Sequence, residues 1–259
     1  MTWAMPYSQG GYIMVSTEVS GTQTLSGKSA AFIDWIEGWL GEHKPLDLQA
    51  YLQGNNIDPE RVAVVCVDVI VGFCYEGRLS SPRIAGIVEP IAQLFGRAHE
   101  LGVRHFLLPQ EHHTQDAAEF EQYGPHGIRD TSEAETVDAL RDLPFSDSYR
   151  VFLKNSIHPA LGNGFNEWLD EHPDVDTFIV VGDCTDLCAH QAVMYLKLRG
   201  NEADRRVSVI VPEDCVQTYD LPVETARQIG ALPHDGDLLH AVFLYHMALN
   251  GAQVVEKVV

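Results

Sequence analysis

Two hydrophobic periods alternate along most of this chain, one of strands buried on both faces and one of helices with a single apolar face. Residues 62–71 (VAVVCVDVIV) form a continuous β-branched run, the pattern of a strand covered above and below. Residues 82–101 then carry Ile84, Ile87, Val88, Ile91, Leu94 and Phe95 at helical spacing. The alternation continues with strands at 105–108, 149–153, 178–181 and 207–211, and helices at 134–143, 165–171, 188–198, 223–229 and 237–249. A last strand is expected at 253–258. Strand–helix alternation of this kind builds right-handed crossovers and a parallel sheet with helices on both faces.

The first part of the chain does not share this pattern. Residues 1–28 are rich in Ser, Thr and Gly and read as a loose or edge-packing segment. Residues 30–40 (AAFIDWIEGWL) have the spacing of a short amphipathic helix, and Asn55, Asn56 and Pro59 mark a turn. Residues 1–58 are therefore read as an N-terminal extension whose role the sequence does not state, with the folded domain over 59–259.

Composition narrows the function classes. The 259 residues are 45% hydrophobic and 21% charged, as in ordinary globular proteins, and no apolar run is long enough to cross a membrane as a helix. A formal charge of −20 repels phosphate backbones and anionic lipid, which excludes nucleic acid and membrane surfaces as natural partners. No basic-then-apolar leader opens the chain, so a cytoplasmic location is expected. Five scattered cysteines without a C-x-x-C pair argue against a disulfide framework and against zinc ribbons. Buried structural thiols or one catalytic thiol remain.

In parallel α/β sheets the ligand site lies beyond the carboxyl ends of the strands. That rule selects Asp68, residues 110–113, Lys154 and the turn 182–188. Cys188 ends a strand–turn segment and opens a helix, where the macrodipole favours a thiolate and free N–H groups can hold an oxyanion. Burial as a small hydrophobe is the ordinary fate of a cysteine. Asp68 interrupts an apolar strand, and a buried carboxylate needs a partner or a function. Lys154 follows the apolar stretch 151–153 and could supply that partner. Glu111, His113 and His126, with Glu119 as a further donor, offer ligands suited to zinc, iron or manganese, although their spacing matches no general zinc pattern and surface histidines would look the same.

Four segments together resemble the isochorismatase-like cysteine hydrolases, and in particular their nicotinamidase branch. They are Asp68 to Phe73, Val151 to Lys154, Gly182-Asp183-Cys184-Thr185-Asp186-Leu187-Cys188, and Glu111-His112-His113 through Glu119-Phe120 to Pro125-His126 and Thr131. The resemblance implies a three-layer α/β/α sandwich with a mainly parallel central sheet. It implies a triad of Asp68, Lys154 and Cys188, an oxyanion hole at Cys184 and Cys188, and a cis peptide between Asp183 and Cys184. It further implies a divalent metal on Glu111, His113 and His126, no organic cofactor, a pocket including Phe73 and His112, and a homo-oligomer acting on a small amide such as nicotinamide through a thioester. Glu111 in place of the usual Asp, His112 in place of an aromatic residue and Gly127 in place of a Cys depart from the pattern around the pocket. A metal-free hydrolase on the same triad and a retired binding protein are the competing readings.

Overall fold

The computed structural model describes residues 24–259, so most of segment 1–28 lies outside the described residues. The chain divides into two compact units, 1–35 and 36–259. Of the first, the described part is the opening of a helix, Leu25–Gly41, that starts five residues before the expected 30–40. The second unit begins at Ile36, so the boundary expected at 58/59 falls inside it. Within residues 36–58 an unexpected helix, Leu48–Asn55, is capped by Asp47, whose carboxylate accepts from the Ala50 N–H at 2.9 Å, and ends at Asn56 in the left-handed region. Leu48 and Leu52 are buried in the core and Tyr51 packs against it. Three apolar positions in one turn are too short a stretch to establish a period.

Among the described residues seven parallel strands form one sheet: β1 (Val62–Val67), β2 (His105–Glu111), β3 (Arg150–Lys154), β4 (Thr177–Asp183), β5 (Ser208–Pro212), β6 (Val216–Gln217) and β7 (Gln253–Val255). Their order is β3-β2-β1-β4-β5-β7, with the two-residue β6 pairing to the end of β4. Alternate residues of β1 serve opposite cores. Val62, Val64 and Cys66 join Ile91, Phe95 and Phe106, whereas Ala63, Val65 and Val67 join Ala192, Val193 and Leu244. That is the three-layer α/β/α sandwich, built because every central strand is apolar on both faces. Among the described residues no helix is long and apolar enough to cross a membrane.

Three elements differ from their sequence expectation. The strand expected over 62–71 stops at Val67, because Asp68 turns the backbone at φ 56 and a helical turn, Val71–Cys74, follows. The helix expected over 82–101 is two, Pro82–Ala85 and Val88–Glu100, separated by Gly86 and Ile87. Pro90 belongs to the first turn of the second, where its missing N–H costs no bond. The helix expected over 134–143 is a 3₁₀ turn, Ser132–Ala134, followed by Asp138–Arg141.

Strand order and register set up the site. Glu111 is the residue opposite Lys154 in the β2–β3 ladder, and Val67, just before Asp68, is opposite Gly182 in the β1–β4 ladder. The carboxyl ends of β3, β2, β1 and β4 thus present Lys154, Glu111, Asp68 and Asp183 side by side. Gly182 has to be glycine: its φ is 109, and a Cβ would sit 2.0 Å from the Val67 carbonyl oxygen.

Candidate active site

Lys154 is the centre of a buried charge cluster. Its ammonium lies 2.7 Å from Asp68 Oδ2 and 2.9 Å from Glu111 Oε1, donates to the Ser156 carbonyl at 3.2 Å, and approaches Cys188 Sγ at 3.7 Å. Asp68 and Lys154 are 0% and 1% exposed. The other Asp68 oxygen accepts the Glu111 backbone N–H at 2.8 Å. Cys188 Sγ is also 3.7 Å from Glu111 Oε1, and a carboxylate oxygen of Asp68 lies within 4.8 Å of it. Three strand ends and one helix start therefore bring Asp68, Lys154 and Cys188 together, with Glu111 as a fourth member.

Burial and charge set the protonation states. Burial pushes the Asp68 carboxyl up to about 6, against the pull of the Lys154 ammonium. Burial also acts to raise Glu111, but Lys154 and the two histidines outweigh it and hold that carboxyl well below the usual range. Burial drives the Cys188 thiol well up, and Asp68 and Glu111 add to this while Lys154 opposes it. The resting sulfur is thus a thiol beside an ionised carboxylate that can take its proton. The Asp183 carboxyl, buried beside this cluster, is pushed up by burial first and then by the Asp68 charge.

The turn Gly182–Cys188 holds the peptide bond between Asp183 and Cys184 in the cis form. The backbone N–H groups of Cys184 and Cys188 have no acceptor among the described residues. Cys188 opens the helix Cys188–Glu202, so its N–H is one of the four free donors at a helix start. Two donors therefore wait near the sulfur.

Glu111 also reaches the second cluster. Its Oε2 lies 2.8 Å from His126 Nε2 and 3.1 Å from His113 Nε2, and with Glu119 these residues offer ligand atoms all within 4.8 Å of one another. The opposite ring nitrogens are fixed elsewhere: His113 Nδ1 meets Asn155 Oδ1 at 3.0 Å, and His126 Nδ1 donates to the Gly124 carbonyl at 2.7 Å. Glu119 Oε2 accepts the Ile157 N–H at 3.2 Å, while its Oε1 is buried without a hydrogen-bond partner. Rings oriented by their outer nitrogen, with the inner nitrogen and an orphaned carboxylate oxygen converging, form a donor set that fits a divalent ion of the zinc, iron or manganese type.

Aromatic rings enclose this cluster. Phe73 is 5.7 Å from the His126 ring, Phe120 is 5.3 Å and 5.5 Å from those of His113 and His126, and Tyr123 is 6.3 Å from His126. Phe73, expected in the pocket, packs beside the His126 ring. His112 is half-buried, and its backbone N–H donates to the Lys154 carbonyl at 2.8 Å. Phe120 and Tyr123 escaped the sequence reading, although Phe120 adjoins Glu119 in a segment already singled out. The histidines that meet Asp186 and Thr185 of this turn, His234 and His240, escaped it as well.

Comparison with known proteins gives the family and the fold. Residues 62–254 match the isochorismatase domain. Nicotinamidase 1 of Arabidopsis thaliana is 34% identical over 215 residues, which cover 76% of this chain and 86% of that protein. The cysteine hydrolase of Pseudomonas syringae superposes with a TM-score of 0.61 at 22% identity, covering 77% of this chain and 90% of that one. The pyrazinamidase/nicotinamidase of Streptococcus mutans superposes at 0.60 and 19% identity, covering 75% and 99%. The two structures carry the fold, and the domain match with the plant relative carries the family: this chain belongs to the isochorismatase-like cysteine hydrolases.

Proposed function

We propose that the chain hydrolyses a small carboxamide, nicotinamide in the first place, to the acid and ammonia through a thioester on Cys188. The observation that carries this reading is the buried thiol flanked by Asp68 and Lys154, beside two undonated N–H groups and a ligand cluster ringed by aromatic side chains. The plant relative's name supplies the substrate.

Asp68 takes the Cys188 proton, and the thiolate adds to the amide carbon. The carbonyl electron pair moves to oxygen, where the Cys184 and Cys188 N–H groups hold it. Asp68 returns its proton to the nitrogen as the C–N bond breaks, and ammonia leaves. Water, deprotonated by Asp68, then attacks the thioester and releases the acid, and the sulfur regains a proton. Of the two carboxylates near the sulfur, Asp68 is the better base, because a group poised near 6 accepts a proton more readily than Glu111, which is held far lower. Lys154 keeps its charge throughout and holds Asp68 in place.

Glu111, His113, His126 and Glu119 are the residues that would hold a divalent ion. When bound there, such an ion would supply a Lewis acid for a ring nitrogen of the substrate. Phe73, Phe120 and Tyr123 provide the apolar wall for a flat ring.

The test is ammonia release from nicotinamide by the purified protein with bound metal quantified in the same sample. Turnover with about one ion per chain, lost together in His113→Ala, is the expected outcome. Turnover with no metal would retire the ligand cluster, and no turnover despite bound metal would move the substrate to another amide.

A further inference from the structure

In the turn 182–188 the side chains of Thr185 and Asp186 are held by partners from residues 218–240. Thr185 Oγ1 lies 2.8 Å from His240 Nδ1, and the Thr185 N–H donates to the Gln217 carbonyl at 3.0 Å. Asp186, two residues before Cys188, accepts from Thr218 Oγ1 at 2.6 Å on one oxygen and meets His234 Nε2 at 2.8 Å on the other. Asp186 and His234 are each 8% exposed.

His234 is itself held on all sides. Its ring stacks on Tyr219 at 3.8 Å and 19°, its Nδ1 lies 2.9 Å from the Tyr219 carbonyl oxygen, and its backbone exchanges hydrogen bonds with Leu221 at 2.7 and 2.9 Å. Gly236, two residues on, passes so close that a Cβ would meet the Tyr219 carbonyl oxygen at 2.6 Å. Both ring nitrogens face oxygen atoms, a carbonyl on one side and a carboxylate on the other, so the ring is held from both edges. Burial acts to raise Asp186, and His234 and Thr218 outweigh it, keeping the carboxyl low and ionised. This is a buried, charge-assisted bond to the segment between the two oxyanion donors.

We propose that His234 is a positioning residue: through Asp186 it fixes the Cys184 and Cys188 N–H groups where the oxyanion of the tetrahedral adduct forms. Neither N–H is bonded at rest, so their aim depends on what holds the turn from outside. His234 touches neither substrate nor sulfur. The proposal rests on the hydrolase reading of Cys188 but not on the identity of the amide.

Two reactions of the same thiol separate its role from general damage. Acylation of Cys188 by p-nitrophenyl acetate forms the S–C bond through an oxyanion before p-nitrophenolate leaves. Alkylation by iodoacetamide forms the S–C bond as iodide leaves and places no oxyanion in that hole. In His234→Phe, which keeps a ring against Tyr219 and removes both ring nitrogens, the acylation rate is expected to fall about 10- to 100-fold, as for a displaced oxyanion donor. Alkylation stays within roughly twofold of the parent protein, because no charge develops at the hole. His234→Gln, which keeps a donor for Asp186, recovers part of the acylation rate and guards against a misfolded first variant; Cys188→Ala sets the background for both reagents. Equal acylation in variants and parent, or equal losses in acylation and alkylation in both variants, would overturn the positioning role. Failure of the parent protein to be acylated at Cys188 would instead overturn the hydrolase reading beneath it.

Discussion

Two buried ionic networks meet at the segment 183–188, and they are built differently. The strand-end network of Lys154, Asp68, Glu111 and Cys188 crowds two ionised carboxylates and a thiol around one ammonium, and each member is a candidate to touch reacting atoms. The network of Asp186, His234, Thr218, Thr185 and His240 is a closed set of partners with no member pointing at the sulfur. The first is electrostatically unbalanced and can move protons. The second is satisfied, and it can only hold. The contrast teaches that burying charge near a reacting centre serves two purposes, and the number of unmet bonds distinguishes them.

Removing the shared cation should separate the networks most sharply. Lys154→Met leaves Asp68 and Glu111 as uncompensated buried carboxylates and should cost about 3–5 kcal/mol of stability in urea unfolding, along with nearly all turnover. A stability loss below about 1 kcal/mol would mean that solvent already screens the cluster.

The pH profile gives a smaller effect. Asp68 accepts a proton only when ionised, and its carboxyl titrates at about 6. The ratio kcat/KM should therefore fall about tenfold per unit as pH drops below that value and level off above it. His240 in the second network is pushed down to about 4, by burial first and then by Arg83, so it stays neutral across this range. A profile flat from pH 5 to 8 would remove Asp68 from the role of base.

Much of the first network was legible in the sequence, and almost none of the second. Asp68 and Lys154 stand out because a charged residue interrupts or follows an apolar run, Cys188 because it stands between a strand-end turn and a helix, and Glu111, His113 and His126 because ligand-type residues cluster within sixteen positions. Their convergence was not legible. It depends on the order β3-β2-β1-β4 and on a register that sets Glu111 against Lys154, neither of which leaves a local pattern. The end of β1 at Val67 was hidden because Val69, Ile70 and Val71 continue the apolar run after the backbone has turned at Asp68. His234 lies in a loop with no period, and its importance comes from a partner 48 residues away. The helix Leu48–Asn55 was hidden by its length: Leu48, Tyr51 and Leu52 mark one turn only, and packing holds it.

The most direct test of the central claim is to quench the protein in acid during steady turnover of nicotinamide and map the peptides by mass. A nicotinoyl group on the Cys188 peptide, absent in Cys188→Ala together with ammonia release, is the predicted result. Ammonia release that persists in Cys188→Ala, with no acyl group on any cysteine, would contradict the covalent mechanism.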